Sequence, residues 1–172
     1  MAILPTQTFP ALDLPLTNDL RWELGKQDYK NHLLMFFYRG KHCPVCRKQL
    51  RELERQIDTF EAIGVNLIAI SMNNEALAKA TVEEWGIRKL PVAYDLSVQQ
   101  AHDIGLYLSK GINDSEPEIF SEPGLFIVKP DYSVYASSIQ TMPFTRPSAE
   151  ELIGALKYIQ AHDYPPRGEY QP

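Results

Sequence analysis

Two unbroken apolar runs, "HLLMFFY" (32–38) and "VNLIAISM" (65–72), constrain the fold of this chain more than any other feature. A strand with one face in solvent alternates apolar and polar residues, whereas a strand covered on both faces reads as a continuous run. Between the two runs the period changes. From Pro44 onward, Leu50, Leu53, Ile57 and Phe60 recur at helical spacing, and Gly64 closes the helix.

The same alternation continues downstream. "EALAKATVEEWG" (75–86) predicts a helix ended by Gly86, "LPVAYD" (90–95) a short strand, and "SVQQAHDIGLYL" (97–108) a helix. "SKGINDSEPEIFSEPG" (109–124) holds turn formers without periodicity and is expected to be a loop. "LFIVK" (125–129) and "SVYASSIQ" (133–140) predict strands around the turn "PDY", and Ser148 with Glu151 forms a capping box for "AEELIGALKYIQAH". Residues 1–30 form an N-terminal arm with no clear pattern, and 163–172 a proline-rich tail expected to be extended. The order β-α-β-α-β-α-β-β-α predicts one α/β domain over 1–172, with a mostly parallel or mixed central sheet flanked by helices on both faces. Sites in such sheets lie beyond the carboxyl ends of the strands.

Composition narrows the function classes. A formal net charge of −5 argues against nucleic acid as the main partner, which asks for a basic face. No segment reaches the roughly 18 apolar residues of a membrane span, so no membrane partner is expected. The start "MAILPTQTFPALDLPL" lacks the basic n-region of a secretory signal, and a cytoplasmic location is expected. The "NDS" at 113–115 matches a glycosylation acceptor, a short match common by chance.

Both cysteines of the chain, Cys43 and Cys46, fall at the corner between "HLLMFFY" and the helix that follows. A helix N-terminus stabilises a thiolate, lowering a cysteine pKa from ~8.5 to between 3.5 and 7.5. Cys43 is expected near the N-cap, Pro44 at the first helical position, where its missing N–H costs nothing, and Cys46 one turn in. Arg39, Lys41, Arg47 and Lys48 add positive charge. Two sulfurs so placed can close a small disulfide, giving an activated nucleophile and a second thiol that releases a mixed disulfide. Zinc would ask for four ligands, and His32, His42, His102 and His162 show no ligand-type pairing. No flavin or nucleotide motif is present either, so no cofactor is expected.

The segment "FFYRGKHCPVCRKQLRELE", with "LPVAYD" and "PGLFIVKPDYSVYASSIQTMPFTRPSAEELIGAL" after it, resembles the peroxiredoxin-like group of the alkyl hydroperoxide reductase and thiol-specific antioxidant (AhpC/TSA) family, within the thioredoxin superfamily. The resemblance implies a thioredoxin-like fold with an N-terminal extension. It also implies an antioxidant oxidoreductase: a cysteine reduces hydrogen peroxide or an organic hydroperoxide, becomes sulfenic acid, and is resolved as a redox-active disulfide. A thioredoxin- or glutaredoxin-type partner would restore the dithiol, and relatives of this kind often form homodimers. The intact Cys-x-x-Cys equally fits a thioredoxin-like thiol–disulfide oxidoreductase acting on protein or small-molecule disulfides.

The departures bear on residue roles. Aligned on "FFYR" without a gap, Arg39 replaces the family's proline, Cys43 its threonine, and Cys46 the peroxidatic cysteine. Aligned on the Cys-Pro dipeptide, Cys43 becomes peroxidatic. We take Cys43, nearest the N-cap and expected to be the more exposed, as the attacking thiolate and Cys46 as its resolving partner, with the reverse assignment kept open. The arginine that the family places before "GLFIID" aligns with Pro123, where thioredoxins carry a cis-proline, so a cis Glu122–Pro123 bond is one reading and a plain strand-opening proline the other. Arg146 matches a later family arginine and is expected near the site, with a solvated loop position as the alternative. Arg39 is the other candidate source of a guanidinium.

Overall fold

In the computed structural model, which describes residues 3–170, the two apolar runs lie side by side at the centre of one sheet. In chain order the elements are β1 (Asp13–Pro15), β2 (Arg21–Glu23), β3 (His32–Phe37), α1 (Pro44–Ala62), β4 (Val65–Ile70), α2 (Glu75–Trp85), β5 (Val92–Ala93), α3 (Val98–Asp103), β6 (Leu108–Lys110), β7 (Ile119–Ser121), β8 (Gly124–Val128), β9 (Val134–Ile139) and α4 (Ala149–His162). The main sheet runs β5-β4-β3-β8-β9, with β3, β4 and β5 parallel, β8 antiparallel to β3, and β9 antiparallel to β8. The sheet is mixed, one of the two arrangements that the alternation of elements allows, and the one that the thioredoxin-like resemblance implies.

Every residue of β3 is buried because both faces of the sheet are covered. Leu34, Phe36 and Tyr38 point with Leu67, Leu125 and Ile127 into a core closed by Leu50, Leu53, Ile57 and Phe60 of α1 and by Leu152, Ile153 and Leu156 of α4. The alternate residues Leu33, Met35 and Phe37 point with Ile68, Ile70 and Phe126 into a second core closed by α3 and the arm. Burial of each large apolar side chain stabilises by about 1.5–3 kcal/mol, so the period that shapes the sheet also supplies its stability.

The arm has more order than its sequence shows. β1 and β2 pair antiparallel, and Phe9, Leu12, Leu14, Trp22 and Leu24 lie against the sheet. At one end the N–H of Phe9 donates to Tyr132 O (2.8 Å) and that of Val134 to Gln7 O (2.8 Å). At the other, the N–H of Thr17 donates to Val92 O (3.0 Å) and that of Tyr94 to Pro15 O (3.1 Å). The arm therefore hooks onto both β5 and the start of β9.

Three local expectations are corrected. The segment 109–124 is not a plain loop: β6 and β7 form an antiparallel hairpin with Leu108 opposite Ser121. Strands of three residues are too short to show alternation. The helix expected over 97–108 stops at Asp103, because Gly105 takes a left-handed φ of 82° that breaks the repeat. The strand expected over 90–95 is ordered as a ladder only at Val92–Ala93. The tail carries no regular structure from Tyr164 to Tyr170, and its last two residues, like the first two of the arm, lie outside the described ones. Among the described residues no helix is long and apolar enough to cross a membrane.

Candidate active site

β3 delivers the chain to the carboxyl end of the sheet, and residues 39–43 turn it into α1. Two contacts fix that turn: the Lys41 N–H donates to Asn73 Oδ1 (2.8 Å) and the Cys43 N–H to Gly40 O (3.1 Å). Gly40 has φ 131°, and a Cβ there would lie 2.6 Å from Asn73 Nδ2. Gly40→Ala is therefore expected to cost about 1–3 kcal/mol of stability and to displace Cys43. A lower urea midpoint with unchanged slope, together with slower thiol oxidation, checks this.

Cys43 is the N-cap of α1 and Pro44 its first residue. The Cys46 N–H donates to Cys43 Sγ (3.2 Å), so the sulfur takes the place of the usual capping oxygen. Both cysteines are free and buried, Cys43 at 1% and Cys46 at 0% exposure, which corrects the expectation of an exposed Cys43. Arg146, from the loop before α4, reaches both sulfurs: its Nη2 lies 3.2 Å from Cys46 Sγ and 3.7 Å from Cys43 Sγ. It is aimed there by donating from Nη1 to Gln49 Oε1 (2.7 Å) and from Nε to Pro143 O (2.8 Å).

These contacts separate the two thiols. The Cys46 thiol, the Cys46 N–H and the Arg146 charge together pull Cys43 down to about 6, against the opposing effect of burial. Burial, reinforced by the charge on Cys43, pushes Cys46 well above the usual thiol range. These environments favour the thiolate on Cys43 and keep the proton on Cys46.

Arg39 does not supply that guanidinium. It lies over the Phe120 ring, 4.7 Å from the centroid, with Nε 3.2 Å from Glu122 Oε2 and Nη2 3.6 Å from Glu116 Oε1. Ser109 Oγ donates to the other Glu122 oxygen (2.7 Å), and His42 meets Phe120 edge-on at 4.8 Å. Arg39 and His42 thus fasten the β6–β7 hairpin to the cysteine turn. The Glu122–Pro123 bond is trans, as are all described peptide bonds, so the thioredoxin-type cis-proline is absent there. Pro123 opens β8, its carbonyl accepting from the Gln140 N–H (2.9 Å).

Sequence patterns did not point to Gln49, Asn73, Glu116 or Glu122. Asn73 had a signal, since it follows β4 at the same carboxyl edge of the sheet. The others are brought in by contacts that no local pattern encodes. Two grooves flank the turn. One, of about 530 Å³, runs between α1 and the loop that carries Phe144, Arg146 and Pro147. The other, of about 460 Å³, lies between His42 and the hairpin residues Asp114 and Glu116. Among the described residues no group of three or more His, Cys, Asp or Glu side chains could hold a metal ion.

The chain is 25% identical over 150 residues to alkyl hydroperoxide reductase C of Helicobacter pylori, covering 84% of this chain and 73% of that protein. AhpC of Enterococcus faecalis superposes with a TM-score of 0.75 at 20% identity, over 99% of both chains. Peroxidoxin BcpB of Mycobacterium tuberculosis superposes with a TM-score of 0.74 at 16% identity, over 91% of this chain and 98% of that one. These solved structures share the thioredoxin-like fold. The model of the AhpC/TSA family matches residues 5–137, from the arm through the cysteine pair into β9. The chain belongs to the AhpC/TSA family.

Proposed function

We propose that this protein is a thiol peroxidase in which Cys43 attacks the peroxide and Cys46 resolves. The observation that carries the reading is the shared environment of the two sulfurs. Cys43 caps a helix, accepts from the Cys46 N–H and lies within reach of the Arg146 guanidinium. The Cys43 thiolate attacks the terminal oxygen of ROOH, the O–O bond breaks, and Cys43 becomes sulfenic acid while the alkoxide takes a proton from water. The Cys46 thiol then attacks the Cys43 sulfur, its proton leaving with the hydroxyl as water and a disulfide forming. A thioredoxin- or glutaredoxin-type dithiol supplies the two electrons that restore the pair. Arg146 favours both the thiolate and the charge that develops on the departing oxygen. Action on the whole chain as one unit, a cytoplasmic setting and pairing into homodimers belong to the same proposal.

Stopped-flow mixing of the reduced protein with hydrogen peroxide or an alkyl hydroperoxide tests the reading. One peroxide should be consumed per chain, both thiols lost, and the rate should exceed that of a free thiol of matched pKa by about 10²-fold or more. Because the thiolate is the nucleophile, the rate should rise with pH, reach half its maximum near the Cys43 value of about 6, and level off at higher pH. A rate equal to that of the free thiol would sink the peroxidase reading.

A further inference from the structure

The solvent face of α1 carries a run of like charge. Arg47, Lys48, Arg51 and Arg55 are all exposed, in the N-terminal two-thirds of the helix. Like charges spaced four apart, as in 47, 51 and 55, repel along the helix. None of the four forms an ion pair among the described residues. The two carboxylates interleaved with them are held elsewhere: Glu52 accepts the Ala149 N–H (2.9 Å), and Glu54 accepts the N–H groups of Arg88, Lys89 and Leu90. A chain of net charge −5 thus keeps an uncompensated cationic stripe that begins beside Cys43.

The surroundings give the stripe a direction. Lys48 also lines the 530 Å³ groove, whose far wall is Phe144, 59% exposed, and Met142 nearby is 45% exposed. Across the cysteine turn the second groove mixes signs, with Lys41 and His42 facing Asp114 and Glu116, and there Glu116 is paired with Arg39 and Lys41 with Glu84. An approaching anionic surface is drawn to the α1 side, where the unpaired cations gather, and not to the mixed hairpin side, so it meets the cysteines in one orientation.

We propose that the cationic face of α1, with the groove at Phe144, docks the reductant of the Cys43–Cys46 disulfide, and that this reductant is a dithiol protein with an acidic, partly apolar surface around its own cysteines. The proposal rests on the peroxidase reading, in which such a disulfide must be reduced in every cycle. One partner thiolate attacks Cys43 Sγ, forming a mixed disulfide and releasing Cys46, which takes up the proton of the second partner thiol. The second partner thiolate then displaces Cys43, leaving the partner oxidised and this pair reduced.

The test uses the full chain, oxidised to the disulfide with diamide, so that reduction can be measured whatever peroxide does. The probes are a Cys-x-x-Cys peptide flanked by glutamates and a phenylalanine, its lysine-flanked counterpart, and dithiothreitol. The acidic peptide should reduce the wild type about tenfold faster than the basic one, the advantage vanishing at about 0.5 M salt. Arg51→Glu/Arg55→Glu should reverse the preference and Arg51→Gln/Arg55→Gln should reduce it, with dithiothreitol rates unchanged in both. Equal rates for the two peptides, or a preference that survives both double variants, would overturn the proposal. So would a parallel loss with dithiothreitol, which would place the effect on the disulfide itself. Variant-sensitive binding to phosphatidylserine vesicles with unchanged peptide rates would overturn it in favour of a lipid surface. A failure of peroxide to oxidise the reduced protein counts against the peroxidase reading alone.

Discussion

Cys43→Ser is expected to abolish fast peroxide consumption, while Cys46→Ser should still consume one equivalent at close to the parent rate and then stop. The asymmetry follows from the two environments. Cys43 is held near 6 by a thiol, a backbone N–H and a guanidinium, whereas burial keeps Cys46 protonated at neutral pH. With Cys43 gone, the remaining sulfur loses its charged neighbour but stays buried, and a thiol is a poor nucleophile. In Cys46→Ser the hydroxyl can still donate to the Cys43 sulfur, and the N–H of residue 46 still caps it, so the thiolate survives. The sulfenic acid then has no resolving partner and should be trapped by dimedone, adding one label per chain by mass spectrometry. Fast oxidation in Cys43→Ser with an inert Cys46→Ser would reverse the assignment.

Arg146→Ala should lower the oxidation rate constant by about 10²-fold, the cost typical of removing one preorganised donor from developing negative charge. It should also raise the Cys43 pKa, because the guanidinium favours the thiolate. The midpoint of the pH profile for alkylation by iodoacetamide would then move to the alkaline side of its parent value. Arg146→Lys should recover only part of the rate. A single ammonium cannot bond Gln49, the Pro143 carbonyl and two sulfurs together, as the forked guanidinium does. If Arg146 were only structural, the melting temperature would fall and the pH midpoint would stay in place.

What the sequence reveals here depends on how far each feature reaches along the chain. β3, β4, α1 and α4 are legible because their apolar periods and caps are local: Gly64 and the Ser148–Glu151 box stand where the helices end or begin. The β6–β7 hairpin and the arm's β1–β2 pair are not, since three residues cannot show a period. The corner geometry of the cysteines is legible for the same local reason, with Cys43 at the cap and Pro44 just inside. Their burial is not, because the loop that brings Arg146 onto them is a hundred residues downstream. The place of Arg146 came through family resemblance, and no periodicity would have found it. Arg39 looked equally suited, and only the folded chain shows that Glu116 and Glu122 hold it on the hairpin side.

The N-terminal arm has a consequence for solubility. A sheet presents a row of unpaired N–H and C=O groups at each outer strand, a ready template for pairing with another chain. Here the arm hydrogen-bonds to Val92 and Tyr94 at one border and to Tyr132 and Val134 at the other, while its apolar side chains cover Leu33, Met35 and Phe37. One segment therefore occupies the open side of β5 and the start of β9 and covers one face at once. A chain trimmed to begin at residue 31 would lose these protections together, leaving β5 and the start of β9 open to pairing and the Leu33, Met35 and Phe37 face of "HLLMFFY" bare to neighbouring molecules.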